Sequence, residues 1–129
     1  MKQRQPHHDG SELYVSTQSP KIGEKVTFKV RCPRELAVEN IFIRIFHDGE
    51  PRTFPMKKIG LKKKDYWWSV AVPVINPSTH YRFLLVENGN YSWLNGLGLH
   101  FGDVTDREDF QILATPEPPS WIRSSVFYQ

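Results

Sequence analysis

The sequence has a single cysteine, Cys32, so no disulfide bond can form within the chain. It has no apolar run long enough to cross a bilayer, and Met1–Gly10 lacks the apolar stretch that a secretory signal needs. Nothing in the chain therefore indicates an oxidising compartment or a membrane partner. We expect a soluble, cytoplasmic protein.

The spacings that mark catalytic and metal sites are missing as well. No cysteine pair, nucleophile elbow or glycine-rich phosphate loop is present, and the histidines have no zinc-site spacing. The acidic residues of Asp103–Asp109 lack the central glycine and final glutamate of a calcium loop. We interpret them as a solvated loop before a strand, with a cation site as the alternative. We expect no catalytic residue, no metal ligand and no cofactor in these 129 residues.

What the sequence does contain is enough apolar material for one folded domain. Hydrophobic residues make up 39% of the chain and charged residues 24%, which excludes a wholly disordered protein. The formal charge of +3 is mild, and much of it lies in the lysines between Lys57 and Lys64. We interpret these lysines as a solvated hairpin tip that protects a sheet edge, and we expect no nucleic-acid partner. The alternative, with Tyr66, Trp67 and Trp68 close by, is a nucleic-acid contact.

Alternating apolar and polar residues dominate the chain and predict β-strands. In Lys25–Cys32, for example, one register is apolar and the other polar, while Asp65–Pro73 places Trp68 in the apolar register and Trp67 in the opposite one. The other predicted strands are Glu12–Thr17, Asn40–His47, Thr53–Lys58, Thr79–Glu87, Asn90–Leu94 and Asp109–Leu113. Turn residues separate them, and no helical period is sustained. The pattern predicts an all-β, immunoglobulin-like β-sandwich of seven to eight antiparallel strands.

Several motifs resemble one enzyme group. Pro118-Pro119-Ser120-Trp121 followed by Val126-Phe127-Tyr128-Gln129 resembles the entry to the catalytic barrel of neopullulanases, cyclomaltodextrinases, maltogenic amylases and maltodextrin glucosidases, which are alpha-amylase family glycoside hydrolases. Upstream, Tyr81–Leu85, Tyr91–Gly98 and Asp106–Phe110 resemble successive stretches of their N-terminal, starch-binding-type modules.

The resemblance implies a domain organisation and a function. We expect residues 1–10 to be a flexible tail, 11–114 the β-sandwich module, and 115–129 a linker and the start of a catalytic barrel. The module would bind or position an alpha-glucan oligosaccharide such as maltodextrin, cyclodextrin or pullulan, and pack on its own downstream barrel. In dimeric members such a module leans over the partner subunit's active site, so a homodimer of the whole protein is a further expectation.

Two groups of residues are candidates for these roles. Flat aromatic side chains can cover the apolar face of a glucose ring while neighbouring polar groups bond its hydroxyls. The candidates for carbohydrate binding are Trp67, Tyr91, Trp93 and Asn95. The resemblance also implies that a loop containing His47, Asp48, Glu50 and Arg52 faces the partner's active site, although it lacks the aromatic residue common there. The alternative function is a generic immunoglobulin-like interaction module without a carbohydrate role.

Overall fold

The computed structural model describes residues 5–47, 49–102, 104 and 106–114, and these are almost entirely β-structure. They form nine strands: β1 (Lys25–Pro33), β2 (Asn40–His47), β3 (Glu50–Pro55), β4 (Lys57–Lys62), β5 (Asp65–Pro73), β6 (Ser78–Glu87), β7 (Asn90–Asn95), β8 (Gly98–His100) and β9 (Phe110–Leu113). A short 3-10 helix, Asp106–Glu108, precedes β9. No helix in the described part of the chain is long and apolar enough to span a membrane. Residues 115–129, where we expect the linker and barrel entry, lie outside the described residues.

The strands form two antiparallel sheets. One has three strands in the order β1-β5-β4, and the other has six, in the order β3-β2-β6-β7-β8 with β9 also paired to β6. β9 pairs with the first half of β6 and β7 with the second half. This arrangement confirms the predicted all-β sandwich. Nine strands replace the eight predicted segments, because β8 was not predicted and one predicted strand is in fact two, while the predicted strand Glu12–Thr17 is not a strand.

That divided strand changes sheets at Met56. The predicted strand Thr53–Lys58 is wrong as a single element, since β3 pairs with β2 and β4 pairs with β5 in the other sheet. Met56 is buried between them, and its N–H donates to the carbonyl of Ile41 at 2.8 Å. Successive side chains still alternate in direction where the chain passes from one sheet to the other. The sequence pattern therefore does not show that the strand changes sheets. Both pieces are edge strands, the position in a sheet where a proline such as Pro55 is tolerated.

The core lies between the sheets and follows the predicted registers. Val26, Phe28 and Val30 of β1 are fully buried, and they face Ile43 of β2 and other apolar residues of the six-stranded sheet. The remaining core residues of the central strands are Ile41, Ile45, Trp68, Val72, Tyr81, Phe83 and Leu85. Burial of these large side chains supplies most of the driving force for folding.

The N-terminal segment packs against the sandwich, which corrects the expectation of a flexible tail for residues 5–10. His7 forms an antiparallel bridge with Arg31 on the free edge of β1. His8 is only 4% exposed, and its ring contacts Phe83 and Phe110 of the six-stranded sheet at centroid distances of 4.7 Å. The segment therefore covers the gap between the two sheets at this edge. The predicted strand Glu12–Thr17 is a turn that ends in a single bridge between Val15 and Phe28.

Candidate functional site

A tight hairpin between β6 and β7 positions the first candidate residue. Asn88 and Gly89 both have positive φ, 52° and 79°, as a two-residue hairpin turn requires. In the register that follows, Val86 lies opposite Tyr91 and Leu84 opposite Trp93. The side chains of Tyr91 and Trp93 therefore lie on the outer face of the six-stranded sheet.

Tyr91 forms a cleft with Phe101, a residue that the sequence reasoning missed. Tyr91 is 49% exposed and Phe101 is 80% exposed, and both line a depression of about 530 Å³. Its rim carries the polar residues Glu87, Asn88 and Asn90. Phe101 follows the very short β8 and belongs to no alternating run, so only its aromatic character next to glycine could have marked it. The cleft combines two exposed rings with carboxylate and amide groups.

Trp93 packs on a buried cation. It is half-buried, and the guanidinium carbon of Arg82 lies 4.8 Å from its ring centroid. The ring of Tyr91 meets it edge-on, with centroids 6.5 Å apart and planes at 82°. Trp93 therefore supports Tyr91 from one side.

Asn95 is buried within the β7–β8 turn. It is 3% exposed, and its Oδ1 accepts a hydrogen bond from the N–H of Leu97 at 3.0 Å and lies 3.1 Å from Nε2 of His100. Oδ1 thus has two partners within the turn. Asn95 lines a separate depression between the turn and the N-terminal segment, away from the Tyr91–Phe101 cleft.

Trp67 lies on the outer face of the three-stranded sheet, so the structure does not bring it together with the other candidates. It is half-buried and stacks on Tyr14, with ring centroids 5.5 Å apart and planes at 23°. Trp68, the next residue, is 5% exposed in the core, which confirms the predicted opposite registers. Trp67 lines a second cleft of about 380 Å³ with Leu13 and Ile59.

The loop expected to face a partner subunit is the turn between β2 and β3. His47 pairs with Glu50 in the strand register, and Asp48 lies outside the described residues. Glu50 and Arg52 are exposed, and Arg52 Nη2 lies 4.0 Å from Glu50 Oε2. Glu50 and Arg52 are therefore accessible at an edge of the six-stranded sheet.

Neither a metal-binding cluster nor a reactive thiol is found among the described residues. No group of three or more histidine, cysteine, aspartate or glutamate side chains there could hold a metal ion. Burial raises the pKa of the Cys32 thiol to about 12, so it stays protonated near neutral pH and is a poor nucleophile. Asp109 corrects our interpretation of the acidic loop as solvated, because its carboxylate is buried against Arg82 at 2.9 Å.

The fold is similar to that of part of several solved enzymes. The chain superposes on part of a cyclomaltodextrinase with a TM-score of 0.71 and 16% identity, over 96% of this chain and 22% of that one. A maltogenic amylase from S. marinus matches with a TM-score of 0.60 and 12% identity, over 92% of this chain and 16% of that one. The type III pullulan hydrolase from Thermococcus kodakarensis matches with a TM-score of 0.56 and 14% identity, over 83% and 16%.

At these identities the similarity shows a shared fold, and in that sense it confirms the resemblance to this enzyme group. The chain spans less than a quarter of each of these solved chains, which is the size of one domain within a larger enzyme. No protein-family model and no curated protein sequence matches the chain.

Proposed function

We propose that the chain is the N-terminal module of an alpha-glucan hydrolase and that it binds or positions the oligosaccharide substrate for a catalytic barrel. The observation that carries the proposal is the superposition of 96% of this chain on 22% of a cyclomaltodextrinase. Two further solved neighbours are, by name, a pullulan hydrolase and a maltogenic amylase. Neighbours of this one functional class favour this role over a generic interaction module.

The Tyr91–Phe101 cleft is the best candidate for contact with a neutral glucan. A glucose ring presents an apolar face of C–H groups, which an exposed aromatic ring can desolvate. Its hydroxyls both donate and accept hydrogen bonds, and the rim offers both kinds of partner: the Glu87 carboxylate accepts, and the amides of Asn88 and Asn90 do both. In this proposal Trp93 holds Tyr91 in place and Asn95 shapes the adjoining turn.

Titration of the chain with maltoheptaose, followed by NMR, tests the proposal. We expect weak, saturable binding on the order of millimolar, the affinity expected of a small open cleft. Tyr91→Ala and Phe101→Ala should each weaken it about fivefold or more, since each removes a ring that desolvates the sugar. Leu113→Ala is the matched control, because Leu113 is a 61% exposed apolar residue outside the cleft. Absence of any shift at saturating sugar would rule out direct binding.

The remaining expectations concern the whole protein. We propose that the module packs on its own catalytic barrel, that the Glu50–Arg52 turn faces a second subunit in a homodimer, and that the enzyme is cytoplasmic. The exposure of Glu50 and Arg52 at a sheet edge supports the second point. Sedimentation of the full-length protein tests it: a Glu50→Ala, Arg52→Ala variant should dimerise more weakly than the unchanged enzyme. Equal dimer stability would contradict a role for this turn.

A further inference from the structure

The cleft beside Trp67 has a different chemistry from the Tyr91–Phe101 cleft. Trp67 forms one side of it, and the exposed apolar side chains of Leu13, Ile59 and Leu61 surround the ring. These three side chains are 60%, 54% and 48% exposed, so a sizeable apolar patch is open to solvent. Contiguous exposed apolar surface of this kind often marks a binding site.

Two lysines flank the aromatic ring. In the strand register Arg31 of β1 and Gly60 of β4 lie opposite Trp67. Lys29 lies two residues before Arg31 on β1, and Lys62 lies two residues after Gly60 on β4. The two lysines are therefore on either side of Trp67, and both line the cleft. Diagonal neighbours of this kind are about 7–8 Å apart, which long side chains span easily.

Asp65 lies opposite Lys62 in the strand register but does not line the cleft. Its carboxylate lies 3.9 Å from Arg31, which faces Trp67. Among the described residues that line the cleft, none is acidic, and none has a side-chain carboxylate or amide. Lys58 does not line the cleft, and its ammonium instead makes a cation–π contact with Tyr66, 4.3 Å from the ring centroid.

The side chains of the cleft therefore donate hydrogen bonds and accept none. An ammonium group has three donors and no acceptor. A neutral sugar needs both, as the rim of the Tyr91–Phe101 cleft provides. A phosphate monoester carries about −1.5 to −2 charges near neutral pH and presents only strong acceptors. It complements two lysines, while the sugar ring that carries it complements Trp67.

We propose that the Trp67 cleft is a second binding site, specific for alpha-glucan that carries phosphate monoesters. The phosphate would lie between Lys29 and Lys62 with the glucose ring against Trp67, which its stacking on Tyr14 holds in a fixed orientation. This inference rests on the proposed function, because it assigns a charged form of the same substrate class to a separate site. The module would then hold modified and unmodified glucan at different places.

The test compares maltoheptaose with maltoheptaose phosphorylated on one glucose 6-hydroxyl. Both are titrated calorimetrically into a Tyr91→Ala, Phe101→Ala background, so that the first cleft contributes little. We expect the phosphorylated sugar to bind about tenfold more tightly, as two exposed charge pairs allow. The gain should fall below about twofold in a Lys29→Gln, Lys62→Gln variant, because the remaining interactions are common to both sugars.

A charge-matched control separates a local site from general attraction. Lys25→Gln with Lys63→Asn removes the same charge at exposed positions outside the cleft and should keep the full gain. Trp67→Ala should weaken binding of the phosphorylated sugar, and inorganic phosphate alone should bind more weakly than that sugar. Equal affinity for both sugars, or a gain that survives loss of Lys29 and Lys62, overturns the inference.

Three further outcomes distinguish the alternatives. If an oligothymidylate binds the cleft more tightly than the phosphorylated sugar and depends on the same lysines, the site is a nucleic-acid contact and the inference is wrong. If maltoheptaose binds the unchanged chain but phosphate adds nothing, the proposed function stands and only this inference fails. If neither sugar binds the unchanged chain, both fail.

Discussion

Arg82 and Asp109 form an ion pair on the outer face of the six-stranded sheet, where side chains are usually solvated. Nη1 of Arg82 lies 2.9 Å from one carboxylate oxygen of Asp109 and 3.2 Å from the other. The two side chains are only 8% and 1% exposed. The pair attaches the segment before β9 to the central strand β6, and its cation lies under Trp93. The pair therefore connects the segment before β9 to Trp93, which in turn contacts Tyr91 on the outer face of the sheet.

Removing one member of this pair should be costly. Asp109→Ala removes the carboxylate that pairs with the buried guanidinium, and we expect the free energy of unfolding to fall by about 3–5 kcal/mol. Urea unfolding followed by tryptophan fluorescence measures the loss. In the double variant Arg82→Leu, Asp109→Leu no charge remains buried, so it should lose clearly less than Asp109→Ala. A loss of under about 1 kcal/mol for Asp109→Ala would mean that the pair behaves as a solvated surface pair.

The sequence allowed the strands to be predicted but not this pair. Alternation between apolar and polar residues reports which side of a strand faces the core, and it predicted the registers of β1 and β5 correctly. It contains no information about which charges meet when the chain folds. Arg82 and Asp109 are 27 positions apart, so the local acidic run around Asp109 indicated a solvated loop instead.

The candidate site also depends on contacts between residues distant in sequence, which the pattern of alternation does not show. Tyr91 was predicted from its place in a strand and is exposed, whereas Phe101 becomes its neighbour only through the hairpin and β8. Asn95 has the right chemistry for sugar, but the tight turn engages its oxygen internally. His8 was assigned to a tail because a short polar segment shows no period, and its burial depends on contacts with distant strands.

Buried His8 should make stability depend on pH. Its Nδ1 donates to the carbonyl of Lys29 at 2.7 Å, so Nε2 is free to accept from the Tyr81 hydroxyl at 2.9 Å. Burial disfavours the charged imidazolium that a second proton on Nε2 would create, and it lowers the pKa of His8 from 6.5 to about 4. Between these values the unfolded chain binds a proton that the folded chain does not, so stability falls as pH falls. The full loss is on the order of 3 kcal/mol.

Urea unfolding at a series of pH values across this window measures the effect. His8→Gln should be less stable at neutral pH, since glutamine cannot fill the same aromatic contacts, but its stability should depend less on pH here. His80→Gln removes an exposed histidine and should keep the dependence of the unchanged chain. An equal slope for His8→Gln and the unchanged chain would show that other groups cause the acid sensitivity.

Gly96 should not tolerate a side chain. Its N–H donates to the carbonyl oxygen of Glu108 at 2.6 Å, and a Cβ atom on Gly96 would lie 2.8 Å from the same oxygen. Because that oxygen belongs to the backbone, Gly96→Ala must displace the segment before β9, at a cost of about 1–3 kcal/mol. Thermal unfolding measures the change. Leu97→Ala alters a neighbouring residue that is 69% exposed and should have little effect; equal melting temperatures for the two variants would contradict the close approach.

Trp67 and Trp68 are adjacent in sequence but should respond differently to truncation. Trp68 is 5% exposed within the core, so Trp68→Ala leaves a large cavity and should cost about 3–5 kcal/mol. Trp67 is half-buried and packs on Tyr14 outside the core, so Trp67→Ala should cost about 1–2 kcal/mol, mainly the lost ring stacking and its buried area. Urea unfolding gives both values. If Trp67→Ala is as destabilising as Trp68→Ala, the outer position of Trp67 is wrong, and with it the assignment of Trp67 to an open binding cleft.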